Sequence, residues 1–222
     1  MSNPRQPITA TLLDKMCSVL EMGYLTPYTD SLLVAVCVTA FFGFLRCAEF
    51  TVTSDKEFDP QFNLCLGDLT FLDTHAELLL KASKTDPFRQ GIIIQLFKNN
   101  TTQKLCPFTA LQTYLVRRNN KFVQRQNLTE PLFLTEDGFP VTRSFFMLHV
   151  KQIISRLGLD TTKYSGHSFR IGAASSACSA RLEDHLIRTL GRWSSDCYRT
   201  YIRTPQQVIQ AAQKALLTEL HC

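Results

Sequence analysis

Ser165-Gly-His167-Ser-Phe-Arg170-Ile-Gly, then Leu190-Gly191-Arg192-Trp193-Ser-Ser, then Tyr201-Ile-Arg203-Thr-Pro, are the three pieces on which the reading of this chain turns. Together they supply an imidazole, a guanidinium, an indole donor and a phenol. Such a set can bind a phosphodiester and attack it. Arg170 offers a planar fork that matches phosphate oxygens, and the donors of His167 and Trp193 can meet developing negative charge. Tyr201 is the candidate nucleophile, because a phenol that becomes covalently attached splits phosphoryl transfer into two steps and keeps the bond energy in a protein phosphodiester.

Outward from that stretch, the bulk numbers agree with a polyanion-binding globular protein. The 222 residues are 45% hydrophobic and 19% charged, enough to bury one sizeable core. The net charge of +5 is unevenly placed: residues 1–100 carry 8 Lys/Arg against 11 Asp/Glu, a balance of −3, and residues 101–222 carry 16 against 8, a balance of +8. A basic half suits nucleic acid. The eight cysteines stand singly, with no C-x-x-C pair and no zinc spacing, which points to reduced thiols in an intracellular compartment. The first residues lack the apolar run of a secretory signal. The longest apolar run, Leu32 to Leu45, is shorter than the roughly 20 residues a membrane-spanning helix needs, so it reads as a buried core helix.

The periodicities predict a mainly α protein with a small antiparallel sheet. Pro7 to Gly23 reads as a first helix and the next runs from Thr26 or Thr29 to near Glu49. Short strands are expected at 64–71, 76–82 and 91–97, and further helices at 107–122, 142–157, 168–180, 184–190, 195–203 and 205–220. Residues 1–25 are read as an N-terminal helix or junction remnant, and 26–222 as one catalytic domain.

With these residues in view, the chain resembles the catalytic domain of the tyrosine recombinases, or phage integrases. Leu45-Arg46-Cys-Ala-Glu49 is similar to the context of the family's first arginine; one helical turn brings Glu49 beside Arg46, where it can hold the guanidinium. The resemblance assigns the family's lysine, carried on a β-hairpin turn, to Lys84, with Lys81 as the alternative if the hairpin register differs. It assigns the histidine and second arginine to His167 and Arg170, and the donor to Trp193, where many members have Leu-Gly-His. An indole donates but cannot shuttle a proton, so position 193 serves binding. Tyr201, eight residues after Trp193, is the family's nucleophile, with Tyr198 as the alternative. The wording around His167, Trp193 and Tyr201 looks most like the recombinases of DIRS- and Ngaro-type retrotransposons.

The resemblance implies site-specific recombination or integration of double-stranded DNA through a 3′-phosphotyrosyl intermediate, with no cofactor and no metal, arginines taking the metal's charge role. It implies a nuclear location and a homo-oligomer, a tetramer on two DNA sites, with the amphipathic face of 206–220 as a docking element or as packing on its own core. Members usually carry an amino-terminal DNA-gripping domain, and only about 25 residues precede the long helix here, so weak DNA affinity with steep salt dependence is expected. Two competing readings remain: nicking and resealing of the type IB topoisomerase kind, and a catalytically silent DNA-binding protein descended from a mobile element.

Overall fold

The long apolar helix is where the fold begins. In the computed structural model, whose description covers residues 5–81, 91–99, 101–193 and 199, it is α2, Pro27–Phe42. Thr26 caps it, its side chain accepting from Thr29 N–H, and Pro27 occupies the first turn, where its missing N–H costs nothing. Leu32, Leu33, Ala35, Val36, Val38 and Ala40 are all buried, on every side of the helix, because α1 (Ala10–Glu21), α4 (Pro107–Lys121) and α6 (Ser168–Ser179) surround it. A helix apolar all round is stable only as a core element. Among the described residues no helix is long and apolar enough to cross a membrane.

The sequence predicts that this helix continues to Glu49. It stops at Phe42, and α3 (Cys47–Phe50) starts afresh. The break is a Schellman turn. Phe44 is left-handed at φ +49, with Phe44 N–H bonded to Phe41 O at 3.1 Å and Leu45 N–H to Ala40 O at 2.9 Å. Glycine usually occupies that position; here the glycine, Gly43, stands one residue earlier, and a phenylalanine takes the strained conformation at a cost of about 1 kcal/mol. The same turn closes α6 at Arg181 (φ +58) and α7 (Asp184–Gly191) at Arg192 (φ +55), whereas α5 (Arg143–Arg156) ends on Gly158.

The three strands are β1 (Leu69–Phe71), β2 (His75–Leu80) and β3 (Ile92–Phe97), antiparallel in the order β1-β2-β3, with Leu69 opposite Leu78 and Leu80 opposite Ile92. Alternate residues Ala76, Leu78, Leu80, Ile94 and Leu96 face the core. The first strand is shorter than its apolar run suggested, because Leu66–Asp68 forms a 3₁₀ turn and Cys65 bridges to Pro131 instead. Lys84 lies on the chain between β2 and β3, outside the described residues, as do the expected helix at 205–220 and, Arg199 apart, the one at 195–203.

The chain before α1 is tied to α6. Ile8 N–H donates to Ser168 O at 2.9 Å, Ala10 N–H to Ser176 Oγ at 3.1 Å, and the Ile8 carbonyl lies against Gly172 so closely that a Cβ there would collide with it. Ile8 is fully buried, and α1 adds Leu13, Met16, Cys17 and Leu20 to the same core as α2.

Candidate active site

Two of the three left-handed, non-glycine helix ends meet at one place. The turn after α2 points the carbonyls of Gly43 and Phe44 away from the helix, at its electronegative end. Three guanidiniums gather around it. Arg170, from the first turn of α6, donates through Nη1 to Phe44 O at 2.6 Å and through Nη2 to Gly191 O. Arg192, from the end of α7, donates through Nη1 to Gly43 O at 2.8 Å and through Nη2 to Phe44 O at 3.3 Å. Arg46, at the N-cap of α3, is joined to the group through Glu49.

Glu49 sits between Arg46 and Arg192. Its Oε1 accepts from Arg46 Nη1 at 2.9 Å; its Oε2 accepts from the Arg46 backbone N–H and from Arg192 Nη2, each at 2.8 Å. The expected Arg46–Glu49 contact is present, made across a capping-box turn instead of along a continuous helix. Glu49 and Arg192 keep 5% and 7% of their side chains exposed and Arg46 keeps 22%, so of these three Arg46 opens most to solvent.

Arg170 is 1% exposed, its terminal nitrogens set on main-chain carbonyls and not aimed outward as a fork. Burying a guanidinium demands such partners. Its face carries the indole of Trp193, 4.5 Å from guanidinium carbon to ring centroid, and Phe44 meets that indole edge-on at 6.1 Å. Trp193 is 8% exposed and lies flush on Gly191, where a Cβ would fall inside its ring. Trp193 is therefore packed between Arg170, Phe44 and Gly191.

His167 stands exposed at the N-terminal end of α6, where the helix dipole favours an anion. Partial desolvation, then the guanidiniums of Arg143, Arg170 and Arg46, hold its imidazole below its ordinary value. Close packing keeps these elements together: Gly166 lies so near Cys47 that a Cβ there would stand 2.7 Å from the Cys47 Cβ and 4.0 Å from the Met147 sulfur of α5. Arg143 opens α5 beside them, its N–H bonded to Val52 O at 2.9 Å.

Of the residues expected from the sequence, Arg46, Glu49, His167, Arg170 and Trp193 converge on this corner, and Lys84 and Tyr201 lie outside the described residues. The alternative lysine, Lys81, is engaged elsewhere, with Asp68 Oδ2 and Pro60 O both 2.7 Å from its Nζ. Burial pulls its pKa down, but the hydrogen bonds and charges of Asp68 and Cys65 together outweigh that and leave it raised, the wrong direction for an acid at neutral pH. Arg192 and Arg143 were not singled out. The available signal for Arg192 was an arginine directly after the helix-ending Gly191, where a left-handed turn favours glycine or asparagine. Among the described residues no group of three His, Cys, Asp or Glu could hold a metal ion.

No protein-family model and no curated protein matches the chain. Solved structures do. A XerH site-specific recombinase in a post-cleavage complex with its palindromic difH substrate superposes with a TM-score of 0.68 at 19% identity, over 96% of this chain and 53% of that one. XerA recombinase gives 0.66 at 13% identity, over 97% and 65%. A lambda integrase dimer bound to a COC′ core site gives 0.56 at 14%, over 91% and 49%. This chain spans about half to two thirds of the length of those proteins, and at such identities the likeness is one of fold. The architecture built from α1 to α7 and the three-stranded sheet is the tyrosine recombinase catalytic-domain fold.

Proposed function

We propose that this chain cuts and rejoins double-stranded DNA as the catalytic domain of a site-specific tyrosine recombinase. The observation that carries the reading is the convergence of Arg46 and Arg170 beside His167 at the start of α6, with Arg170 held on the Phe44 carbonyl and Arg46 held by Glu49, in the fold that recombinases use. Cationic donors held in place before the substrate arrives stabilise a phosphorane-like transition state without reorganising during the reaction.

In this reading the Tyr201 oxygen attacks the scissile phosphorus and the bond to the 5′-oxygen breaks. Arg46 and His167 meet the non-bridging oxygens, with Glu49 orienting Arg46, while the buried Arg170 and Trp193 tie the turn after α2 to α6 and the end of α7. Neutral His167 takes the phenol proton, and Lys84 delivers a proton to the departing 5′-oxygen. The products are a 3′-phosphotyrosyl protein and a free 5′-hydroxyl. Attack by the 5′-hydroxyl of a partner strand reverses the chemistry and exchanges strands, consuming no cofactor.

The finer assignment rests on sequence wording: a recombinase of a DIRS- or Ngaro-type retrotransposon, acting in the nucleus as a tetramer on two DNA sites, with 206–220 docking on a neighbouring protomer. Truncation after Thr204 then lowers assembly on paired sites while leaving isolated cleavage partly active.

A nicked suicide duplex, incubated with the protein and resolved on a denaturing gel, tests the reading. The covalent adduct should form with the native chain and with Tyr198→Phe and vanish with Tyr201→Phe. DNA binding without any adduct would instead favour the silent DNA-binding protein.

A further inference from the structure

Arg192 is the residue whose position the proposed chemistry does not use. It is buried, it occupies a left-handed backbone conformation that costs a non-glycine residue free energy, and its two terminal nitrogens reach Gly43 O, Phe44 O and Glu49 Oε2. Arg181 holds the same conformation at the end of α6 while exposed to solvent, so the turn itself does not call for burial.

The charge count explains what burial of Arg192 achieves. Glu49 takes both a backbone and a side-chain hydrogen bond from Arg46. Alone, that pair is neutral, and the carboxylate that orients Arg46 also cancels the charge a phosphate would seek. Arg192 on the second oxygen makes the trio +1, with the excess charge open to solvent chiefly through Arg46. Because buried charges are weakly screened, this restored charge acts strongly on an anion beside Arg46.

We infer that Arg192 is a positioning residue for the phosphate site: it offsets the Glu49 carboxylate, so that Arg46 is oriented by an acid yet presents net positive charge to a DNA phosphate. The inference rests on the recombinase reading above. It also fixes a sign that simple scaffolding would not produce. Arg192→Gln takes the trio to zero, Glu49→Gln takes it to +2, and the double variant returns it to +1.

The test uses the full chain and the four members of this cycle. Single-turnover adduct formation on the nicked suicide duplex should fall at least about tenfold in Arg192→Gln, and adding Glu49→Gln to that variant should recover at least about threefold. Affinity for the same duplex at fixed salt should follow the charge order, tightest in Glu49→Gln and weakest in Arg192→Gln. A double variant slower and weaker in binding than Arg192→Gln would overturn the inference and leave Arg192 a structural brace. Should the native chain bind the duplex but form no adduct, the recombinase reading fails on its own, and the affinity order still decides the role of Arg192.

Discussion

Substituting Gly191 with alanine converts the packing of Trp193 into a measurable quantity. A Cβ at 191 would occupy the space of the indole's six-membered ring, so the ring must leave its place between Gly191, Phe44 and Arg170. Evicting a buried tryptophan forfeits about 3–5 kcal/mol, in the range of large-to-small core substitutions. Alanine's better helix propensity returns up to about 1 kcal/mol at this helix end. The net loss is about 3 kcal/mol, or about 6–12 °C in Tm for a chain of this length. Trp193 is the single tryptophan of the sequence, so its fluorescence reports this site alone. The native protein should emit at short wavelength, and Gly191→Ala should shift the emission to the red and melt earlier. An unchanged emission maximum together with an unchanged Tm would refute the packing described for Trp193.

Three further outcomes follow from other parts of the molecule. Gly172→Ala places a methyl group on the Ile8 carbonyl; displacing the buried Ile8 and its bond to Ser168 should cost about 2 kcal/mol net of the helix gain, measured by urea denaturation. Arg181→Gly, at the exposed left-handed end of α6, should instead stabilise the protein by about 0.5–1 kcal/mol, whereas Arg192→Gly, in the same backbone conformation, should destabilise it; equal signs in the two melts would contradict the account of Arg192. His167 should titrate below 6.5 in the DNA-free protein by NMR, and Arg143→Gln should raise that midpoint. Because the folded value is the depressed one, protons bind the unfolded chain more readily below pH 6.5. The stability tied to His167 is therefore complete above that pH and declines as pH falls towards the folded midpoint.

The sequence disclosed much of this because its strongest signals are local. An unbroken apolar run from Leu32 means a buried helix whatever surrounds it, and the alternation at 76–80 and 92–96 means a sheet with one face on the core. His167 and Arg170, three apart on one helix start, come together through the helix repeat alone. The end of α2 was hidden, because Phe44 adopts a left-handed conformation that nothing in its own side chain favours. The bonds made to its carbonyl come from Arg170 and Arg192, more than a hundred residues later. Trp193 was expected to reach for phosphate, and its burial depends on the side chain that Gly191 lacks and on two neighbours from distant elements. Arg192 went unnoticed for the same reason: its partners Gly43, Phe44 and Glu49 are remote in sequence, and a lone arginine in a turn carries no local mark of burial.

The most direct test of the central claim is to trap the protein–DNA adduct on a nicked suicide duplex, digest it, and map the modified residue and the DNA ends by mass spectrometry. The account predicts a 3′-phosphate ester on Tyr201 and a free 5′-hydroxyl, with the yield abolished by Arg46→Ala or Arg170→Ala. Attachment to another side chain, or cleavage leaving a 5′-phosphate and no protein-linked DNA, would contradict it.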